Sequence, residues 1–174
     1  SDISIPKEKK VFSLLVMGYG GAGHDGAYLT DTMMVLRLDL EKHTAMMVSI
    51  PRDVWVKIPT TDNEDFYRKI NSVYQMGLFR KNYPAVPAKY EGEQGASELV
   101  KETVGTIVGF PIDNYIAIDF DGFKQAVDTL GGVDINVERA FTDIEYPIDG
   151  KETDLCGVDP NDLAKFEELE KIAT

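Results

Sequence analysis

The sequence predicts an α/β domain built on a mixed β-sheet with helices on both faces, and three stretches carry that reading. Residues 30–53, TDTMMVLRLDLEKHTAMMVSIPRD, hold two short β-favouring runs, 33–39 and 44–50, split by the polar Leu40-Glu41-Lys42-His43, which is the pattern of an antiparallel hairpin. Residues 114–119, a helix through Phe123, Ala126, Val127 and Leu130, and residues 133–137 read as strand, helix, strand with short links. That order demands a right-handed crossover and hence a parallel pair. Ala96, Leu99, Val100, Val104, Ile107 and Val108 recur at helical spacing and are stopped by Gly109 and Pro111, giving the clearest amphipathic helix.

The remaining elements follow in chain order. Residues 1–10 are polar, with Pro6 and three lysines, and read as an extended lead-in. VFSLLVM, residues 11–17, is a continuous apolar run of the kind buried on both faces at the centre of a sheet. Gly18-Tyr19-Gly20-Gly21-Ala22-Gly23 then matches G-x-G-x-x-G, and Asp39 sits where a ribose-binding acid would be. The context fails, because a parallel crossover takes about a dozen residues or more and only His24 to Thr30 intervene before the next strand. A G-K-[ST] for a nucleotide-triphosphate loop is also missing. The glycines are therefore expected to form a loop at the mouth of a site, or a long turn. After the hairpin, Val54, Val56 and Ile58 alternate with Trp55 and Lys57 as a strand ending at Pro59. Arg68-Lys69-Ile70-Asn71 opens a helix through Phe79 with Ile70, Val73, Tyr74 and Leu78 on one face. Residues 82–92, with Pro84 and Pro87, form a loop long enough to be a lid. Asp121 is placed as the cap of the helix that follows. Beyond Arg139 the pattern weakens to a loop-like stretch over 141–158 and a short acidic helix over 162–171.

Composition bounds the function. At 174 residues, 43% apolar and 10% aromatic, the chain can bury a core as one domain over 11–174. A net charge of -12, from 18 Lys and Arg against 30 Asp and Glu, excludes a broad nucleic-acid footprint. The single Cys156 rules out a disulfide within the chain and leaves open a partner beyond its ends. No apolar run reaches the roughly 18 residues that span a bilayer. A chain starting at Ser1 instead of Met leads us to expect a removed upstream segment, and the unfinished pattern at its end a missing C-terminal part.

A hairpin brings the start of its first strand beside the end of its second, so Asp31 and Thr32 are expected near Arg52 and Asp53. Carboxylates are hard ligands for Mg²⁺ and a guanidinium fork fits phosphate oxygens, so the cluster suits a metal-bound phosphate ester or pyrophosphate. Lys69 can add a second phosphate contact. The plain alternative is that Asp31 caps a turn and Arg52 pairs with Asp53 at the surface, as surface ion pairs commonly do.

The motifs VFSLLVMG, LTDTMMVLRLD, MMVSIPRDVWVKIP, RKINSVYQMG and GFPIDNYIAIDFDGFKQAVDTLGGVDINV, in this order over residues 11–142, resemble the LytR-CpsA-Psr family of cell-wall glycopolymer transferases. The resemblance implies a three-layer αβα sandwich with a central mixed β-sheet, held at the extracytoplasmic face of the cell membrane by an N-terminal anchor outside this chain. It implies transfer of a glycosyl phosphate, with Mg²⁺, from a polyprenyl-pyrophosphate-linked glycopolymer to a peptidoglycan hydroxyl, with the polyprenyl tail in an apolar tunnel lined by the helices over 70–78 or 99–108. Asp31 matches the family's metal aspartate, here in T-D-T. Arg52 and Asp53 match the R-D of S-I-P-R-D, where the arginine contacts pyrophosphate. Lys69 and Asn71 match K-I-N, the lysine as a phosphate contact and the asparagine as its support. Asp53 is expected to orient Arg52 or to help deprotonate the acceptor, which makes Arg52 and Asp53 the catalytic pair. Two positions depart: Gly20 stands where the family usually has an aspartate after L-L-G-x, and Leu29 where it has an arginine two places before the metal aspartate. Asp25 or His24 is a candidate substitute from the glycine loop. The family's later arginine-rich motif has no counterpart before Thr174. These departures keep two alternatives in view, a non-catalytic module that binds lipid-linked glycan and a pyrophosphatase acting on the same donor.

Overall fold

The computed structural model describes residues 9–23, 26–140 and 142. Two compact units are distinguished, Ser1–Val133 and Asp134–Thr174, and every strand and helix below lies in the first. His24, Asp25, Cys156, most of the lead-in and the expected acidic helix fall outside the described residues.

The fold is mixed α/β. Its sheet contains β1 (Val11–Tyr19), β2 (Thr30–Asp39), β3 (Thr44–Ser49) and β6 (Asn114–Ile118), in the order β3-β2-β1-β6. β1 is central, as its continuous apolar run predicts, with Phe12, Leu14, Leu15 and Met17 buried. It pairs antiparallel with β2 from Val11↔Asp39 onward and parallel with β6 from Leu14↔Asn114 to Gly18↔Ile118. The hairpin closes at Asp39↔Thr44, leaving Leu40 to His43 as its loop. Asp39 caps that loop by accepting the Glu41 and Lys42 amides at 3.1 and 2.9 Å. Its role is in the turn, and among the described residues the next element after the glycine loop is β2, with no helix between.

A second ladder joins β4 (Trp55–Lys57) to β5 (Tyr67–Lys69). Here the expectation of a helix opening at Arg68 is corrected. Trp55↔Lys69 and Lys57↔Tyr67 pair, and Ile70 N donates to Val54 O at 2.8 Å, so residues 67–69 are held as strand by a partner distant in sequence. The chain turns helical only at a 3₁₀ turn, Ile70–Ser72, and α1, Val73–Leu78.

α1 and α2 (Gly92–Val108) cover one face of the sheet. Leu15, Met17, Met33 and Val35 from the sheet meet Ile70, Val73 and Met76 and the fully buried Ala96, Leu99, Val100 and Val104. Each of these Leu, Ile, Val and Met side chains contributes about 1.5–3 kcal/mol relative to exposure. The helices approach closely because Gly77 carries no side chain: a Cβ there would lie 2.3 Å from Ala96 Cα. The stretch 82–92 is not a lid. Val86 and Tyr90 are fully buried on it, and Tyr90 Oη donates to Glu102 Oε2 on α2, which fastens the loop into the core.

α3 (Phe120–Thr129) follows β6, and its Phe120 and Phe123 line a pocket together with Val16 and Ile118 on the opposite face of the sheet. Its cap is Asp119, accepting Gly122 N at 2.8 Å, and not Asp121. None of its residues is buried; Phe123 is 58% and Leu130 80% exposed. The expected strand over 133–137 is absent among the described residues, and Val133, Ile135 and Val137 are exposed. Alternating apolar residues make a strand only where a neighbour takes the backbone hydrogen bonds. The sheet is mixed for another reason: the parallel partner of β6 is β1. No helix among the described residues is long and apolar enough to cross a membrane.

Gly77→Ala should destabilise the protein by about 1–3 kcal/mol through overpacking against the α2 backbone. Urea unfolding monitored by circular dichroism checks this, and an unchanged midpoint would contradict the close helix contact.

Candidate active site

Asp31 is the second residue of β2, and Arg52 and Asp53 lie just beyond β3. Ile50 N donates to Met33 O at 2.9 Å, which carries the hairpin pairing past its last ladder residues and draws the two ends together. Arg52 Nη1 reaches Asp31 Oδ1 at 2.6 Å. Arg52 Nε lies 3.9 Å from Asp53 Oδ2, and Lys69 Nζ donates to Asp53 Oδ1 at 2.7 Å. The four expected side chains thus form one chain of alternating charge, Asp31, Arg52, Asp53, Lys69. The plain alternative had Arg52 serving Asp53; the short contact is to Asp31 instead, and Asp53 is held by Lys69.

Backbone pairing supports this line from beneath. Trp55↔Lys69 brings Lys69 back beside residue 53. Asn71 N donates to Arg52 O at 3.3 Å, and Thr30 Oγ1 donates to Asn71 O at 3.3 Å. Thr30 and Asn71 are buried, at 0% and 5% exposure. Asn71 therefore ties the turn carrying Arg52 to the start of β2 through its backbone.

The charged side chains are between 52% and 59% exposed. Pairs exposed to that degree contribute little to stability. Stability accounts poorly for gathering them, whereas an incoming anion can take Arg52 and Lys69 over at small cost.

Asp31 and Thr32 also line a pocket of about 410 Å³ whose apolar wall includes Val16, Ile118 and Phe123. Asp119 lines it as well, an acid the sequence reading passed over. The signal was its place at the carboxyl end of a strand followed at once by a helix, where open α/β sheets bind ligands. Burial first, and then the charge of Asp119, raises the Tyr19 phenol beside it above its ordinary value, keeping it protonated. A larger cavity of about 520 Å³, between α2 and Phe110 to Ile112, contains none of the chemistry described here. Leu29, standing at the family's arginine position, turns toward Gly26: a Cβ there would lie 2.9 Å from Leu29 Cδ1.

The hydrogen bond from Lys69, then its charge, holds the Asp53 carboxyl below the ordinary carboxylate range, with Arg52 adding a smaller effect. A carboxyl titrating lower folded than unfolded contributes stability that is complete above the unfolded pKa and is lost as the pH falls through the folded one. Lys69→Ala should move the Asp53 midpoint up toward the ordinary carboxylate range, read by carboxyl ¹³C NMR. A midpoint that stays put would remove Lys69 as the cause.

A profile of the LytR_cpsA_psr family matches residues 1–166. The polyisoprenyl-teichoic acid–peptidoglycan teichoic acid transferase TagV of Bacillus subtilis is 35% identical over 140 residues, covering 79% of this chain and 30% of that protein. The transferase of the same description named TagU, from Halalkalibacterium halodurans, is 31% identical over 135 residues, covering 78% of this chain and 38% of that protein. The crystal structure of B. subtilis TagV superposes with a TM-score of 0.56 and 32% identity over 75% of this chain and 44% of that one. The chain spans about a third of the length of these curated relatives. With its motifs in the expected order and its fold matched, the chain belongs to the LytR-CpsA-Psr family.

Proposed function

We propose that the protein carrying this chain is a Mg²⁺-dependent phosphotransferase of cell-wall assembly, moving a glycopolymer from a polyprenyl-pyrophosphate carrier to a peptidoglycan hydroxyl at the extracytoplasmic face of the membrane. The observation that carries the reading is the continuous charge line from Asp31 through Arg52 and Asp53 to Lys69. The names of the relatives, teichoic acid–peptidoglycan transferases, supply the substrate class.

Phosphoryl transfer from a pyrophosphate needs charge neutralisation and positioning more than covalent help from the protein, since the lipid phosphate is already a competent leaving group. Arg52 presents a planar fork to the pyrophosphate oxygens and Lys69 a point charge. Asp53 holds Lys69 at 2.7 Å and flanks Arg52, and its lowered pKa suits a fixed anion that aims cations better than a base that collects a proton. Asn71 keeps the Arg52 turn in register through its backbone. The hard oxygen donors Asp31 and Thr32, on the wall of one pocket, fit Mg²⁺, which is held by one or two carboxylates together with waters and substrate phosphates. When bound, the ion neutralises charge on the pyrophosphate. An anchor outside this chain would keep the site near its lipid donor.

A second reading, a binding module without turnover, is favoured by Gly20 and by Leu29, whose apolar side chain lies over Gly26 in place of an arginine. Incubating the full-length protein with a polyprenyl-pyrophosphate oligosaccharide, peptidoglycan and Mg²⁺ separates the outcomes. Glycan on peptidoglycan supports transfer, free phosphorylated sugar means a hydrolase, and intact bound donor means the module. Arg52→Ala should lower turnover about 10³-fold or more, as loss of an arginine that stabilises phosphoryl-transfer charge does. Full activity in that variant would end Arg52's part in the mechanism.

A further inference from the structure

The loop that lacks the family's acid at Gly20 runs directly against another carboxylate. Gly21 has φ +86°, and a Cβ built on it would lie 3.1 Å from Asp119 Cβ and 3.3 Å from Asp119 Oδ2. A side chain at position 21 would push Asp119 away, so the glycine leaves a cradle into which the acid fits. Asp119 Oδ1 accepts the Gly122 amide at 2.8 Å as the cap of α3. Among the described residues Asp119 makes no ion pair, unlike Asp31 and Asp53. It lines the same pocket of about 410 Å³ as Asp31 and Thr32.

We propose that Asp119 is the second carboxylate toward the divalent cation in this chain, serving with Asp31 in place of the acid missing at Gly20. The inference rests on the Mg²⁺-dependent reading above. One or two carboxylates are what Mg²⁺ ordinarily takes from a protein beside substrate phosphates, so a second acid beside Asp31 fits its needs. They reach one pocket from different strands because β1 is antiparallel to β2 and parallel to β6.

The competing explanation, that Asp119 only caps α3, is separated by Asp119→Asn, since asparagine caps a helix as well as aspartate but carries no charge. Mn²⁺ titration of the full chain by calorimetry, with thermal melting of each variant, is the test. Asp119→Asn should melt with the wild type yet bind Mn²⁺ about tenfold or more weakly, and adding Gly20→Asp to that variant should restore binding. If Asp119→Asn melts early, Asp119→Ser, another good cap, repeats the measurement. Mn²⁺ affinity unchanged in the cap-preserving variant, failure of Gly20→Asp to restore it, or no Mn²⁺ binding by the wild type would each overturn the proposal. The transferase reading is judged separately by the Arg52→Ala turnover assay. Mn²⁺ binding lost with Asp119 beside full activity of Arg52→Ala sinks that reading and keeps this inference, and the reverse pattern does the opposite.

Discussion

The backbone hydrogen bonding of β1 to two neighbours of opposite direction is the constraint on which the rest depends. Because β2 runs antiparallel to β1, the start of β2 lies beside the end of β1, at Tyr19↔Thr30. Because β6 runs parallel, its end lies there too, at Gly18↔Ile118. Asp31 and Asp119 are the residues just past those points, so two acids 88 positions apart (119 minus 31) converge on one pocket. β3 then brings Arg52 and Asp53 to the same end through the hairpin.

That geometry rests on one well-packed interface. Nearly all of the buried apolar residues belong to the one cluster in which one face of the sheet meets α1, α2 and their loops, and Gly77 against Ala96 sets how closely the helices sit. The opposite face, where α3 lies, is far more open. The charged line sits at the edge of this construction and adds little to its stability, because half-exposed pairs exchange their partners for water at small cost. A hydrogen-bonded backbone beneath half-exposed charge suits the binding of an anion: the scaffold fixes where Arg52 and Lys69 start, and their exposed pairs are exchanged for a new partner at small cost.

The reading of the sequence succeeded where local signals and the final environment agree. The hairpin turn at Leu40 to His43, the central strand and the α2 stripe of Ala96, Leu99, Val100 and Val104 all appear where periodicity places them. It failed where a distant partner overrides local preference. Residues 67–69 join a strand because Trp55 to Lys57 offer a ladder. The α3 face through Phe123 and Leu130 has helical spacing and no buried residue, since spacing states which side is apolar and not what covers it. Val86 and Tyr90 turn a proline-containing loop into part of the core, which no local pattern announces.

The sequence by itself determined the fold class, the family motifs and the identity of the charged residues, because hydrophobic period, turn chemistry and motif order are properties of neighbours along the chain. Only the tertiary structure decided that Arg52 bonds Asp31 more closely than Asp53, that Lys69 reaches its place on a strand, and that Asp119 fills the space left by Gly21. Those outcomes depend on strand direction and register, which bring together side chains tens of residues apart and leave no trace in the spacing of any one segment.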